Sequence, residues 1–187
     1  MTGLEIFPIT SFTQDMLRRF DCDNGLNSDP SVVSEYRDIN YFLRERAHTF
    51  DSANLAKTFV MSYHSELVGF FTTTVGLTSL KRLYRKRKQV MFGGVSLYPT
   101  VDIVYFAIDR SYQGMGIGKI MMAALMRLIV ENVVTHTGVT LLTVQALEVA
   151  APFYQDVFAF EAHDSRNLHG KQNLALTITE VQRILEN

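Results

Sequence analysis

The sequence predicts an α/β protein, a mixed sheet with helices on both faces, and three observations carry that expectation. Runs rich in β-branched and aromatic residues, such as VDIVYFAI over 101–108, have strand character. Just downstream, Ile117, Ile120, Met121, Ala124, Leu125, Leu128 and Ile129 follow the i, i+3, i+4, i+7 spacing of one buried helix face. With a further strand over 139–146, the three segments make a right-handed crossover unit whose strands run parallel.

The remaining elements follow in chain order. Residues 4–10 read as a short strand and 15–20 as a short helix, after which CDNGLNSDP over 22–30 is dense in turn formers and breaks the chain. Residues 32–48 approximate helical spacing, with Asp29 or Ser31 as N-cap. Strands over 55–63 and 67–75 flank HSE, a connection short enough for a hairpin. The long amphipathic helix ends near 135–138. A short helix covers 150–157 with Pro152 in its first turn, and FAFEAH and NLALTITE supply two closing strands.

With 187 residues, 47% of them apolar, the chain suits a single domain over 1–187 with a substantial core. Cys22 is the only cysteine, which excludes an intrachain disulfide and a thiolate zinc cluster. The N-terminus MTGLEIFPIT has no basic flank leading into an apolar core, and IMMAALM is too short to cross a bilayer, so a soluble cytoplasmic protein with no membrane partner is expected. The histidines His48, His64, His136, His163 and His169 show no metal-ligand spacing, and no metal is expected. Cys22 between Asp21 and Asp23 sits in the wrong field for a reactive thiolate.

Net charge is −1, but KRLYRKRK over 81–88 holds six basic residues and no acid, leaving −7 on the rest of the chain. Two readings are open: a solvated basic face, or a site for an anionic partner larger than a metabolite, met by Lys81, Arg82, Arg85, Lys86, Arg87 and Lys88.

The stretch FAIDRSYQGMGIGKIMMAAL over 106–125 places Gly114, Gly116 and Gly118 directly before the long helix. A Walker loop needs glycine where Gln113 stands, and a dinucleotide fingerprint needs glycine where Lys119 stands, so both fail. What remains is a turn whose successive N–H groups and helix N-terminus suit a pyrophosphate, or one whose glycines serve close packing.

Gln113, Gly116 and Gly118 fill the central motif of the GNAT acetyltransferases, and APFYQDVFAF over 151–160 resembles that family's Phe-Tyr helix and following strand, with Ala159 where glycine is commonest. The resemblance covers 101–161. It implies a mostly antiparallel sheet with one splayed parallel pair, acetyl-CoA as donor and a primary amine as acceptor. It further implies that Phe106, Ala107 and Ile108 meet the pantetheine arm through the backbone, and that Gln113, Gly114, Met115, Gly116, Ile117, Gly118 and Lys119 hold the pyrophosphate. Phe153 and Tyr154 read on their own as packing aromatics, and the resemblance makes Tyr154 the general acid to the departing thiolate. No spacing selects a general base among Glu66, Asp102, Asp109 and Glu148.

A looser resemblance concerns the acceptor. Phe20 and Cys22 followed by Phe42, Leu43 and Arg44 are similar to the opening of the GNAT toxins that acetylate aminoacyl-tRNA. In that reading the 81–88 segment neutralises phosphates and Tyr84 offers a stacking face. The alternatives are a small-molecule or protein amine as acceptor, and a module that holds CoA without turnover. Homodimers are frequent in the family.

Overall fold

The computed structural model describes residues 3–164 and 170–186; His169 lies outside them. Seven strands form one mixed sheet: β1 (Leu4–Pro8), β2 (Lys57–Tyr63), β3 (Glu66–Thr78), β4 (Tyr98–Ile108), β5 (Leu141–Leu147), β6 (Glu161–Ala162) and β7 (Lys171–Thr177), in the order β1-β2-β3-β4-β5-β7-β6. The β4–β5 pair is parallel, with Thr100 opposite Leu141 and Ile103 opposite Val144, as the crossover rule predicts. The pairs β1–β2, β2–β3, β5–β7 and β6–β7 are antiparallel.

The chain divides into two compact units, Met1–Thr74 with Val104–Leu125, and Val75–Ile103 with Met126–Asn187. In the first, α1 (Gln14–Leu17) is followed by a long helical stretch made of α2 (Pro30–Tyr41), a π-type turn over Phe42–Arg46, and α3 (Ala47–Ser52). Asp29 caps α2 by accepting from the Ser31 N–H at 2.9 Å, with Pro30 in the first turn. The β2–β3 hairpin turns through His64 and Ser65, both left-handed at φ 47° and 67°, the pattern of a two-residue turn matched to strand twist. Phe20, Cys22, Phe42, Leu43, Phe70 and Ala107 belong to one buried cluster, which puts the helical stretch against one face of β3 and β4. Gly69 and Ile108 face the other way, toward Met121 of α5 (Ile117–Ile129). A Cβ on Gly69 would lie 3.0 Å from the Ala107 carbonyl and 2.8 Å from Ile108 Cδ1, so β3 and β4 approach closely beneath the end of β4.

The buried face of α5 is rotated from the expected stripe. Met122 and Met126 are fully buried, whereas Ile120 is 43% exposed. Ile, Met, Ala and Leu surround the helix, so periodicity locates the element better than its orientation.

In the second unit, α4 (Arg82–Arg87) forms from the basic segment, followed after β5 by α6 (Ala151–Phe158) and after β7 by α7 (Ile178–Glu186). The expected strand over NLALTITE stops at Thr177. The Thr177 N–H donates to Glu180 Oε2 at 2.9 Å and the Glu180 N–H to Thr177 Oγ1 at 3.2 Å, a capping box that turns the chain into α7. Leu80, Tyr84, Val90, Tyr98, Leu141 and Ala175 form this unit's cluster. Among the described residues no helix is long and apolar enough to cross a membrane.

Ala159 ends α6 at φ 57°, while its N–H and that of Phe160 donate to the Gln155 and Tyr154 carbonyls, both at 3.1 Å. Alanine in this region costs ~1–2 kcal/mol, against ~0.4–1 kcal/mol for the extra unfolded-state freedom that glycine adds. Ala159→Gly is therefore expected to stabilise the fold by about 0.5–1 kcal/mol, read as a higher urea midpoint at unchanged slope. An unchanged or lower midpoint contradicts this account of the α6 terminus.

Candidate active site

The site begins where β4 ends. Ala107 is buried while Phe106 and Ile108 are half-buried. The Asp109 N–H donates to the Val68 carbonyl at 2.9 Å, which holds this end of β4 to β3. The Asp109 carboxylate, itself nearly buried, accepts from the Ser111 N–H and from the Asp21 N–H, both at 2.9 Å. The chain thus leaves β4 through a tight turn over Arg110–Tyr112, fastened to the loop that begins at Asp21.

Gln113 extends the same fastening. Its Nε2 donates to the Cys22 carbonyl at 2.9 Å and to the Ile108 carbonyl at 3.0 Å, and its Oε1 accepts from Asn24 Nδ2 at 2.7 Å. Asp21 accepts from Asn40 Nδ2 at 2.8 Å and pairs with Arg110 at 3.2 Å, and Asn40 Oδ1 takes the Cys22 N–H at 3.0 Å. The sequence assigns Asp21, Asn24 and Asn40 no role at the site. The turn-forming composition of 22–30 signals a break in the chain, but nothing local marks a loop tied to residues about 90 positions away.

The glycine turn sits on this frame. Gly114 and Gly116 have φ of 76° and 78°, conformations that side chains resist, and a Cβ on either would meet nothing within 4 Å. Close packing therefore does not account for these two glycines; each presents bare backbone to open space. Gly116 immediately precedes α5, whose first N–H groups lack intrahelical partners and whose dipole favours an anion. The Lys119 N–H donates to the Gly116 carbonyl at 3.1 Å, which closes the expected amide series at its last member, and its side chain is exposed. Met115 is exposed, whereas the Ile117 side chain is buried and leaves only its backbone to a ligand. A phosphorylated carrier such as CoA fits these residues: the cradle is glycine backbone that any Cβ would fill.

In the second unit, Tyr154 lies on α6 and is 5% exposed, with its ring edge-on to Phe160 at 5.6 Å and to Phe153 at 5.2 Å. Burial pushes its hydroxyl well above the ordinary tyrosine value, so the phenol keeps its proton at neutral pH.

The basic segment divides. Lys81, Arg82, Lys86 and Arg87 are exposed and Arg85 is half-buried. Lys88 is buried beneath two acids, 2.5 Å from Glu161 and 2.6 Å from Glu180, and Arg87 also pairs with Glu161. The Tyr84 expectation is corrected: its ring is 2% exposed and its hydroxyl donates to the Ala175 carbonyl at 3.2 Å, so it offers no stacking face. Tyrosine's apolar ring found the core because α4 must bury one face.

Of the four carboxylates, Asp109 fastens the loop, Glu66 accepts from the Tyr112 hydroxyl, Asp102 accepts from the Thr143 hydroxyl, and Glu148 is exposed. Cys22 is buried, and desolvation, reinforced by Asp21, pushes its thiol up to about 12, which makes it a packing residue at neutral pH. Among the described residues no three His, Cys, Asp or Glu side chains group as metal ligands.

The chain is thus a mixed α/β sheet whose parallel-paired strand leads through left-handed glycines into a helix. The model of the acetyltransferase (GNAT) family matches residues 26–160, and the chain belongs to that family. No curated protein sequence matches it. Among solved structures, one described as a bacterial toxin is 18% identical at a TM-score of 0.79, covering 100% of this chain and 97% of its own. AtaT complexed with acetyl-methionyl-tRNAfMet is 20% identical at 0.75, covering 97% and 99%. AtaTR bound with AcCoA is 23% identical at 0.71, covering 98% and 99%.

Proposed function

We propose that this chain is an acetyl-CoA-dependent N-acetyltransferase that moves the acetyl group directly to a primary amine. The observation that carries the reading is the pair Gly114 and Gly116, left-handed and open on their Cβ side at the entrance to α5, in a chain of the acetyltransferase family. Acetyl-CoA supplies an acyl carbon activated as a thioester. The backbone of 106–108 takes the pantetheine arm as an added strand, and one N–H there stabilises charge developing on the carbonyl oxygen, worth roughly two to three powers of ten in rate. The amine attacks in its neutral form, the new C–N bond forms as the C–S bond breaks, Tyr154 gives its proton to the leaving sulfur, and the proton shed by the amine passes through water to restore Tyr154. Tyr154 carries its proton at neutral pH as any tyrosine does, which is the state an acid requires, while burial makes it a weaker donor than a solvated phenol.

The acceptor we favour is aminoacyl-tRNA. Lys81, Arg82, Lys86 and Arg87 on and beside α4 are exposed, the first three open to phosphates and Arg87 also paired with Glu161, and a fold-level neighbour is a complex with acetyl-methionyl-tRNAfMet. The test is mass spectrometry of products from the purified protein, acetyl-CoA and a pool of amines that includes charged tRNA, repeated with those four residues changed to Gln. Acetylated aminoacyl-tRNA is expected. The variant should weaken tRNA binding with a shallower salt dependence, losing about 0.9 in log–log slope per phosphate contact removed from a duplex and about 0.7 from a single strand. Lys88 stays, because removing it would leave Glu161 and Glu180 without their cation. Unaltered tRNA binding by the variant leaves a small-molecule or protein amine as acceptor; no acetylated product from any amine returns the chain to a CoA-holding module.

A further inference from the structure

In the first unit a cavity of about 540 Å³ lies between the helical stretch 30–52 and strands β3 and β4. That is the size range of small-molecule sites. Its floor is aromatic: Phe42 stacks on Tyr105 at 4.1 Å and 24° and meets Phe50 edge-on at 5.4 Å. Leu55, 59% exposed, forms part of the wall. The mouth carries one carboxylate, Asp38, and one guanidinium, Arg46, which lies over the Tyr41 ring at 5.9 Å. Burial, then the charges of Asp38 and Glu35, raise the Tyr105 hydroxyl while Arg46 opposes them.

Two further observations mark the cavity as a site. The helix abandons α geometry over Phe42–Arg46, the turn that supplies both the stacked ring and the guanidinium, and π-type turns gather at functional positions. On the strand side Val104 and Tyr105 line the cavity two residues and one residue before Phe106, which at the strand rise is at most about 7 Å along β4 from the backbone assigned to the thioester.

We infer that this cavity is the acceptor pocket and that it selects an α-aminoacyl group with a bulky apolar side chain, the side chain on the Phe42–Phe50–Tyr105 floor and the α-amine drawn toward Asp38 as an ammonium that gives one proton to water before it attacks. The inference rests on the transferase reading and narrows it: rings and a wall of this size reward an apolar substituent, and a carboxylate beside aromatic faces rewards a cation.

The test is calorimetric titration of the protein without acetyl-CoA, using L-phenylalaninamide, L-methioninamide, glycinamide and N-acetyl-L-phenylalaninamide as probes. The two amides with large side chains are expected to bind at least ten-fold tighter than glycinamide, and the N-acetyl compound, which lacks the cation, to bind more weakly than its parent. Asp38→Asn should weaken L-phenylalaninamide about ten-fold without moving the N-acetyl compound. Leu55→Trp should fill the cavity and remove the preference over glycinamide. Equal affinity for glycinamide, or both variants behaving as the parent protein, overturns the assignment. Acetyl-CoA binding is measured separately: if L-phenylalaninamide binds as expected and acetyl-CoA does not, the transferase reading falls while the aminoacyl pocket stands.

Discussion

Tyr154→Phe is expected to bind acetyl-CoA as the parent protein does and to lose roughly two to four powers of ten in kcat, the range for a positioned general acid. The change deletes one oxygen and keeps the ring. Its edge-on contacts to Phe153 and Phe160 persist, and stability should fall by no more than about 1 kcal/mol, the net worth of an ordinary hydrogen bond. The pH dependence sharpens the test. A tyrosine hydroxyl ionises far above neutral pH and burial raises it further, so the parent enzyme keeps its acid protonated throughout the neutral range, and the deficit of the variant should be constant there. A role confined to packing would alter stability and leave kcat in place. Undiminished turnover removes Tyr154 from the acid role while leaving the cradle and its ligand untouched.

What the sequence revealed and what it concealed divide along physical lines. The glycine turn was legible because its requirement is local: φ near +77° at two positions separated by one residue favours glycine at both whatever the rest of the fold does. The β4–α5–β5 crossover was legible because strand composition and helix period agree, and the two strands pair in parallel. The frame beneath the turn was not, since Gln113 finds Cys22 and Asn24 across about 90 residues and no periodicity encodes such a contact. Phe20, Cys22 and Arg44 were recognised by resemblance, and their physical reason is now plain: Phe20 and Cys22 are buried with Phe42 and Leu43, and Arg44 donates through Nε to the Phe20 carbonyl at 3.0 Å. The 81–88 run misled in part because charge density hides amphipathicity. Tyr84 and Lys88 point into the fold, and Lys88 is neutralised by Glu161 and Glu180, acids 73 and 92 residues away. The helix α7 was missed for want of reading Thr177 and Glu180 as a capping box, a signal that was present in TITE.

Gly116→Val is expected to raise the Kd for acetyl-CoA at least a hundred-fold. The φ of 78° places a branched side chain in a region it resists, at roughly 1–2 kcal/mol or more, and sends its methyls into the open space from which a phosphate would meet the N–H groups. Since no protein atom lies within 4 Å of the new Cβ, the variant gains no packing clash, and its fold should bear only the backbone penalty. Gly94 supplies a matched control, with the same φ of 78°, the same empty surroundings, and a place in the chain between α4 and β4. Gly94→Val should lose comparable stability and keep its acetyl-CoA affinity. If both variants lose affinity in proportion to stability, the effect belongs to folding. If Gly116→Val binds acetyl-CoA as the parent does, the phosphate does not sit on this turn, and the cradle must be sought elsewhere in the chain.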